Sequence, residues 1–318
     1  MSRPERIVSL LPSATELVYA VGAGDRLVGR SHECDHPSGV EALPVLTRPR
    51  RSLPRASGEI DRTVREIVAE AIAVYELDLP ALESASPDLI VTQDLCEVCA
   101  VSLDDVRQAL NELAARDVEI CSLSPLRLSD VWEDVRQVGR AAGRAVEGEA
   151  AAKTFEARLA ALAEATAPLG RPRVLTIEWL DPVMIGGTWM PELVEIAGGE
   201  ALVTQAGDHA PTLELDALRA LDPDVVVLKP CGFDVARTLR ETALLRTMLP
   251  WEEWRAAKSG EVYVADGNAY FNRPGPRLVE SAEILAAILH PGSFPDLVAR
   301  HGPGLRRVTP EGEAVAFR

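Results

Sequence analysis

LPALESASPDLIVTQ, residues 79–93, and LDALRALDPDVVVLKP, residues 215–230, are two settings of one phrase. Each opens on a helical segment carrying leucines on its last turns, breaks at Pro-Asp, and enters a short apolar run rich in β-branched residues. Such a run, bounded by turn formers, reads as a strand buried on both faces, the pattern of a parallel sheet. One copy lies in each half of the chain, so the phrase predicts two lobes built on one plan.

Around the first copy, RIVSLL (6–11), RLVGR (26–30) and VEICSL (118–123) add strand patterns, separated by helical patterns over 13–21, closed by Gly22, and over 102–116. Around the second stand RVLTIEW (173–179) and EVYVADG (261–267), with helices predicted over 190–197, stopped by Gly198 and Gly199, and over 234–248. Alternation of this kind makes a parallel sheet with crossover helices. Between the halves, 129–163 reads as one long helix with Val131, Val135, Val138, Ala142, Val146, Phe155, Leu159 and Leu162 on one stripe, able to span ~50 Å. Gly139, Gly143 and Gly148 weaken it and admit a kink or break. The expected fold class is α/β: two Rossmann-like lobes with mainly parallel sheets, 1–125 and 169–318, joined by a backbone helix within 126–168. A closing helix over 277–289 packs back on the second lobe.

Lys and Arg number 33 against 49 Asp and Glu, a net charge of -16 that repels a phosphate backbone and an anionic membrane surface. Nucleic acid is therefore not an expected partner. Nor is membrane insertion expected, because no stretch approaches the ~18 to 20 uninterrupted apolar residues of a span. Pro12, Ser13, Thr15 and Glu16 interrupt any signal-peptide core and no Cys near the start offers a lipid site, so the expected location is cytoplasmic, or extracytoplasmic if the chain is a mature form. Five scattered cysteines do not read as a disulfide framework and suit free thiols.

RIVSLLPSATELVYAVGAGDRLVGRSHECDHP (6–37), the paired Pro-Asp phrases and the long central helix resemble the helical-backbone (class III) substrate-binding proteins, which serve iron-siderophore, haem and vitamin B12 ABC importers. The resemblance runs over about 6–290. HECD (32–35), LCEVCAVS (95–102), TIEWLDPVMIGGTWMPELVEIAGG (176–199) and GNAYFNRPGPR (267–277) make the chain most similar to the cobalamin-binding branch. The resemblance implies one small-molecule ligand held between the lobes, little hinge motion, no covalent chemistry and an ABC permease as partner. Family members present to the permease one acidic residue per lobe, in the helix before each Pro-Asp strand; here Glu214 or Asp216 stands near that place in the second lobe. In the first, Pro80 falls there, flanked by Asp78 and Glu83.

In open α/β sheets ligands bind beyond the carboxyl ends of the strands, which directs attention to the segments that follow them. Ser13 and Thr15 open the first helix, either as ligand-facing hydroxyls or, for Ser13, as an N-cap with Glu16 completing a capping box. His32, Glu33, Cys34, Asp35 and His36 follow RLVGR; an extended segment would aim His32, Cys34 and His36 to one side. With Cys96 and Cys99 they could hold zinc, iron or the axial position of a corrin cobalt, while the CxxC also reads as a redox pair or as inert thiols. Gln93 ends its strand in the same region.

In the second half Glu178, Trp179, Gly187, Trp189, Lys229, Asn268, Tyr270, Phe271, Asn272 and Arg273 all lie just beyond strand patterns. The aromatic rings either stack on a flat macrocycle or anchor their loops. Lys229 either meets a ligand carboxylate or amide oxygen or is a solvated lysine, and the asparagines suit amide-rich side chains, since Asn both donates and accepts. The expected function is non-catalytic binding of a corrinoid, cobalamin or a precursor, for uptake, salvage or intracellular handling. One alternative is haem, an iron chelate or a metal ion bound through His and Cys. Another is a thiol- or metal-dependent enzyme acting on a corrinoid-like cofactor, although the chain has no phosphate loop or HExxH.

Overall fold

The computed structural model describes residues 3–52, 54–69, 74–94, 102–112 and 118–317, in two units. The first unit comprises Met1–Arg55, Glu59–Pro125 and Ser129–Glu156. Its strands are β1 (Ile7–Ser9), β2 (Leu27–Arg30), β3 (Thr47–Pro49), β4 (Tyr75–Leu77), β5 (Leu89–Gln93) and β6 (Glu119–Leu123). The order β2-β1-β5-β6 is parallel throughout. Every residue of β1 and β5 is buried, which is why both are written as uninterrupted runs. Val8, Leu10, Leu46, Ile67, Leu82, Ile90 and Val106 form the core on one side of the sheet. Because the chain leaves β1 toward β2 and returns on its other side at β5, the carboxyl ends of β1 and β5 border a topological switch point. The antiparallel pair β3–β4 carries an Arg48–Glu76 ion pair on half-solvated strands, so it offers no apolar alternation to read.

The single helix expected over 129–163 is two: Leu128–Ala141 and Ala145–Thr166. Gly143 sits between them at φ 65°, a conformation open to glycine and costly for other residues. Gly139 and Gly148 let the two helices touch through their backbones, since a Cβ on Gly139 would lie 2.9 Å from the Cα of Gly148. Arg136 then bridges to Glu149 at 2.7 Å and to Glu156 at 3.0 Å. The break also resets the helical phase. Val131, Val135, Val138, Leu159 and Leu162 are buried as the stripe requires, but Val146, just past the turn, is 81% exposed.

The second unit, Ala56–Gly58, Leu126–Leu128 and Ala157–Arg318, holds β7 (Arg173–Trp179), β8 (Met184–Ile185), β9 (Glu200–Ala201), β10 (Val225–Leu228), β11 (Val262–Val264), β12 (Arg306–Val308) and β13 (Ala314–Ala316). β7, β10 and β11 are parallel neighbours; β9 pairs parallel with the start of β7 and β8 antiparallel with its end. Here the switch point lies between β7 and β10. Leu175, Ile177, Val226, Leu228, Trp251, Trp254 and Val262 are among its core residues. The helix expected over 234–248 is divided into Val235–Arg240 and Thr242–Met248 at Glu241, whose buried carboxylate accepts from the backbone N–H of Ser57 at 3.0 Å. The closing helix, Leu278–Leu289, packs on Met190–Ile196. Beyond it, helix Pro295–His301 and the antiparallel pair β12–β13 extend the sheet, a part the sequence reading did not anticipate because Arg306 and Arg307 mask the strand pattern.

Candidate ligand-binding site

In the first unit the residues after β1 and β2 form a hydrogen-bonded polar knot. Helix Pro12–Ala20 starts with Leu11 as N-cap and Pro12 in its first turn, so Ser13 lies inside the helix and the capping-box reading is corrected. Proline's fixed φ replaces the side-chain cap. Thr15 is fully buried, bonded to Ser9 Oγ and donating to Cys34 Sγ at 3.0 Å. Cys34 is itself buried, its N–H donating to the carbonyl of Ser31. That bond closes a turn at His32 and Glu33, so the segment is not extended and does not carry His32, Cys34 and His36 on one side as expected: Cys34 is buried, His32 half-buried and His36 exposed.

His32 is held from three directions. Its backbone N–H and Nδ1 both reach Thr47 Oγ1, at 3.0 and 2.7 Å, and its ring lies 5.0 Å from that of Tyr75. Burial, and then the charge of Arg30, push its pKa below the usual value, favouring the neutral ring. Thr47 donates to Ser31 Oγ, so Nδ1–H of His32 donates to Thr47 and the Nε2 lone pair faces away from the knot. Tyr75, a residue the sequence reading did not single out, donates to Glu33 Oε1 at 3.1 Å. Gln93 is buried at the end of β5. Cys96 and Cys99 lie outside the described residues. Among the described residues no three His, Cys, Asp or Glu side chains come together as a metal site.

In the second unit, β7 and β10 end side by side. Lys229, just past β10, is fully buried, its Nζ 2.9 Å from Glu178 Oε2 and 2.8 Å from Asn272 Oδ1. It is therefore not a solvated lysine. Asn272 returns its Nδ2 to the carbonyls of Lys229 and Gly267, both at 2.9 Å. Gly267 could be no other residue, because a Cβ there would lie 2.1 Å from the carbonyl oxygen of Pro230. Gly187 N–H reaches Glu178 Oε2 at 3.4 Å. Gly187 itself is required by the backbone of 208–210, which a Cβ would strike.

The four aromatic residues divide. Trp189 is buried and donates Nε1–H to the carbonyl of Phe271 at 2.7 Å; Phe271 is fully buried at φ 66°, with its N–H on Ser281 Oγ. These two anchor the loop. Trp179 and Tyr270 are half-buried. Trp179 is fixed by its Nε1–H on the carbonyl of Asp181, 3.0 Å, and by an edge contact with Phe233, 5.3 Å. Arg277 stands 5.6 Å over the Tyr270 ring, and Arg237 3.7 Å over Phe233. Arg273 is buried and donates to Asn268 Oδ1 at 2.9 Å. Phe233 and Arg237 were missed by the sequence reading, and no periodic signal marks them.

The sequence profile of the family described as periplasmic binding protein matches residues 7–269. An uncharacterized ABC transporter substrate-binding lipoprotein, YvrC of Bacillus subtilis, is 23% identical over 92% of this chain and 82% of its own length. A vitamin B12-binding protein of Vibrio parahaemolyticus is 21% identical over 87% of this chain and 86% of its own. Among solved structures, a periplasmic heme binding protein from Pseudomonas aeruginosa shares the fold with a TM-score of 0.67 at 23% identity, covering 91% of this chain and 93% of that one. The periplasmic vitamin B12 binding protein BtuF of Vibrio cholerae does so with a TM-score of 0.63 at 19% identity, covering 90% and 97%.

Proposed function

The chain belongs to the periplasmic binding protein family, and we propose that it is a non-catalytic carrier of a corrinoid, cobalamin or a precursor, for an ABC permease. The observation that carries this reading is the pair of half-buried rings, Trp179 and Tyr270, at the end of the second unit's sheet. Flat apolar rings with polar groups around them suit a macrocycle with a polar edge. The relatives named for vitamin B12 binding, matched over most of the chain, support the same class. No described helix is long and apolar enough to cross a membrane. We place the protein where its lipoprotein and periplasmic relatives are named to be, outside the cytoplasm, in preference to the cytoplasmic location expected from the amino-terminal residues. Of the acidic residues considered for docking, Glu83 is exposed and Asp216 is 93% exposed though paired with Arg219. Titration with cyanocobalamin and dicyanocobinamide, followed by absorbance and calorimetry, is expected to give binding near equal stoichiometry. Neither heat nor spectral change with either would overturn the reading.

One observation favours a second ligand, haem. His32 presents Nε2 from a ring that is oriented by Thr47 and held toward the neutral form, the state in which imidazole ligates a metal. If haem is the ligand, His32→Ala shifts the absorbance of the haem complex and weakens it at least tenfold. A corrinoid held by stacking loses little.

A further inference from the structure

The polarity of the second unit's switch point is the reverse of what Lys229 alone suggests. The lysine side chain is 0% exposed and that of Glu178 is 24% exposed, so of this ion pair only the carboxylate meets the surface. Oε2 is taken by Lys229 Nζ and approached by Gly187 N–H, whereas Oε1 has no hydrogen-bond partner among the described residues. The pair stands at the carboxyl ends of β7 and β10, the crevice in which open α/β sheets receive their ligands. Trp179, one residue on, is half-buried.

We infer that Glu178 is a specificity-determining acceptor, positioned by Lys229 and Asn272, that selects ligands presenting a primary amide N–H and rejects those presenting a carboxylate. An amide in that place donates to Oε1 in a charge-assisted hydrogen bond; a carboxylate there has no proton to give and meets a like charge. Lys229 is screened from a carboxylate arriving at the surface, because its side chain is 0% exposed and two of its three N–H donors are held by Glu178 and Asn272. Arg237 and Arg277 lie over Phe233 and Tyr270, so the inference concerns only the group opposite Glu178. It rests on the corrinoid reading and refines it to amidated corrinoids rather than their acid forms or haem.

The test compares dicyanocobinamide, with amide side chains, against dicyanocobyrinic acid, with carboxylates, on the full chain. Wild type is expected to prefer the amide form roughly 100-fold, and Glu178→Gln to bring the two affinities within about threefold. Glu311→Gln, which removes an exposed charge far along the sequence, should leave the ratio unchanged and so control for net charge. Should Glu178→Gln fail to fold, the neutral double variant Glu178→Gln, Lys229→Met replaces it, with the same collapse of the ratio expected. A ratio that survives in either folded variant overturns the inference and leaves the corrinoid reading standing. Binding of neither probe by wild type overturns the inference, and if cyanocobalamin also fails to bind the corrinoid reading falls with it.

Discussion

Lys229 follows a strand as a ligand group would, and nothing adjacent to it in sequence tells that its ammonium is enclosed. Its partners Glu178 and Asn272 are 51 and 43 residues away. Removing one member of a buried ion pair strands the other, so Glu178→Ala is expected to cost about 3 kcal/mol, read by urea unfolding. Lys229→Met should cost less, since the Glu178 carboxylate, 24% exposed, regains water. His32 and Cys34 repeat the lesson: their residue types are legible as ligands, but the segment closes a turn, Cys34 N–H on Ser31, and its thiol is buried. Trp189 and Phe271 read either as stacking rings or as loop anchors, and the choice turns on burial and on the bond from Trp189 Nε1–H to the Phe271 carbonyl, which joins residues 82 apart.

At the scale of elements, the three glycines of the central segment mark both a break and a contact. Gly143→Ala forces a Cβ into the left-handed region and is expected to lower stability by about 1 kcal/mol. Gly148→Val drives a branched side chain into the backbone at Gly139 and Val135, with an expected loss of about 3 kcal/mol and parting of the Arg136 bridges. Both are measured by thermal and urea unfolding, and the ordering, Gly148→Val worse than Gly143→Ala, is the sharper check. The weakness of the helix was readable from its glycines. Which glycine breaks it was not, because the choice falls on the residue whose turn brings Gly139 and Gly148 together.

For the molecule as a whole, among the described residues each unit carries one carboxyl group whose proton affinity folding changes strongly, in opposite directions. In the first, burial, then the nearby Asp130 and Glu133, push Asp134 up to about 7. The folded state then holds a proton that the unfolded chain has lost, so this group's contribution is full below about 4 and declines as pH rises to about 7. In the second, burial tends to raise Glu283, but hydrogen bonds from His301 and Arg158 and their charges outweigh it and bring it down to about 2. Its contribution is present above about 4.5 and is lost as pH falls toward 2. Urea unfolding across pH 2.5 to 8 should therefore show stability rising out of acid and declining again toward neutrality. Asp134→Asn should flatten the second limb alone, and Glu283→Gln the first.

The alternation of strand and helix and its duplication were determined by the sequence itself, because a strand buried on both faces must be apolar along its length and a helix end must be marked by Gly or Pro. Those are short-range requirements, written within a few residues, and β5, β10 and the closing helix all stand where they were read. Which polar side chains at the strand ends are enclosed and which meet solvent was decided only by tertiary structure. Exposure is set by groups brought together from distant points of the chain, and at this switch point that arrangement encloses the cation and leaves its partner carboxylate at the surface.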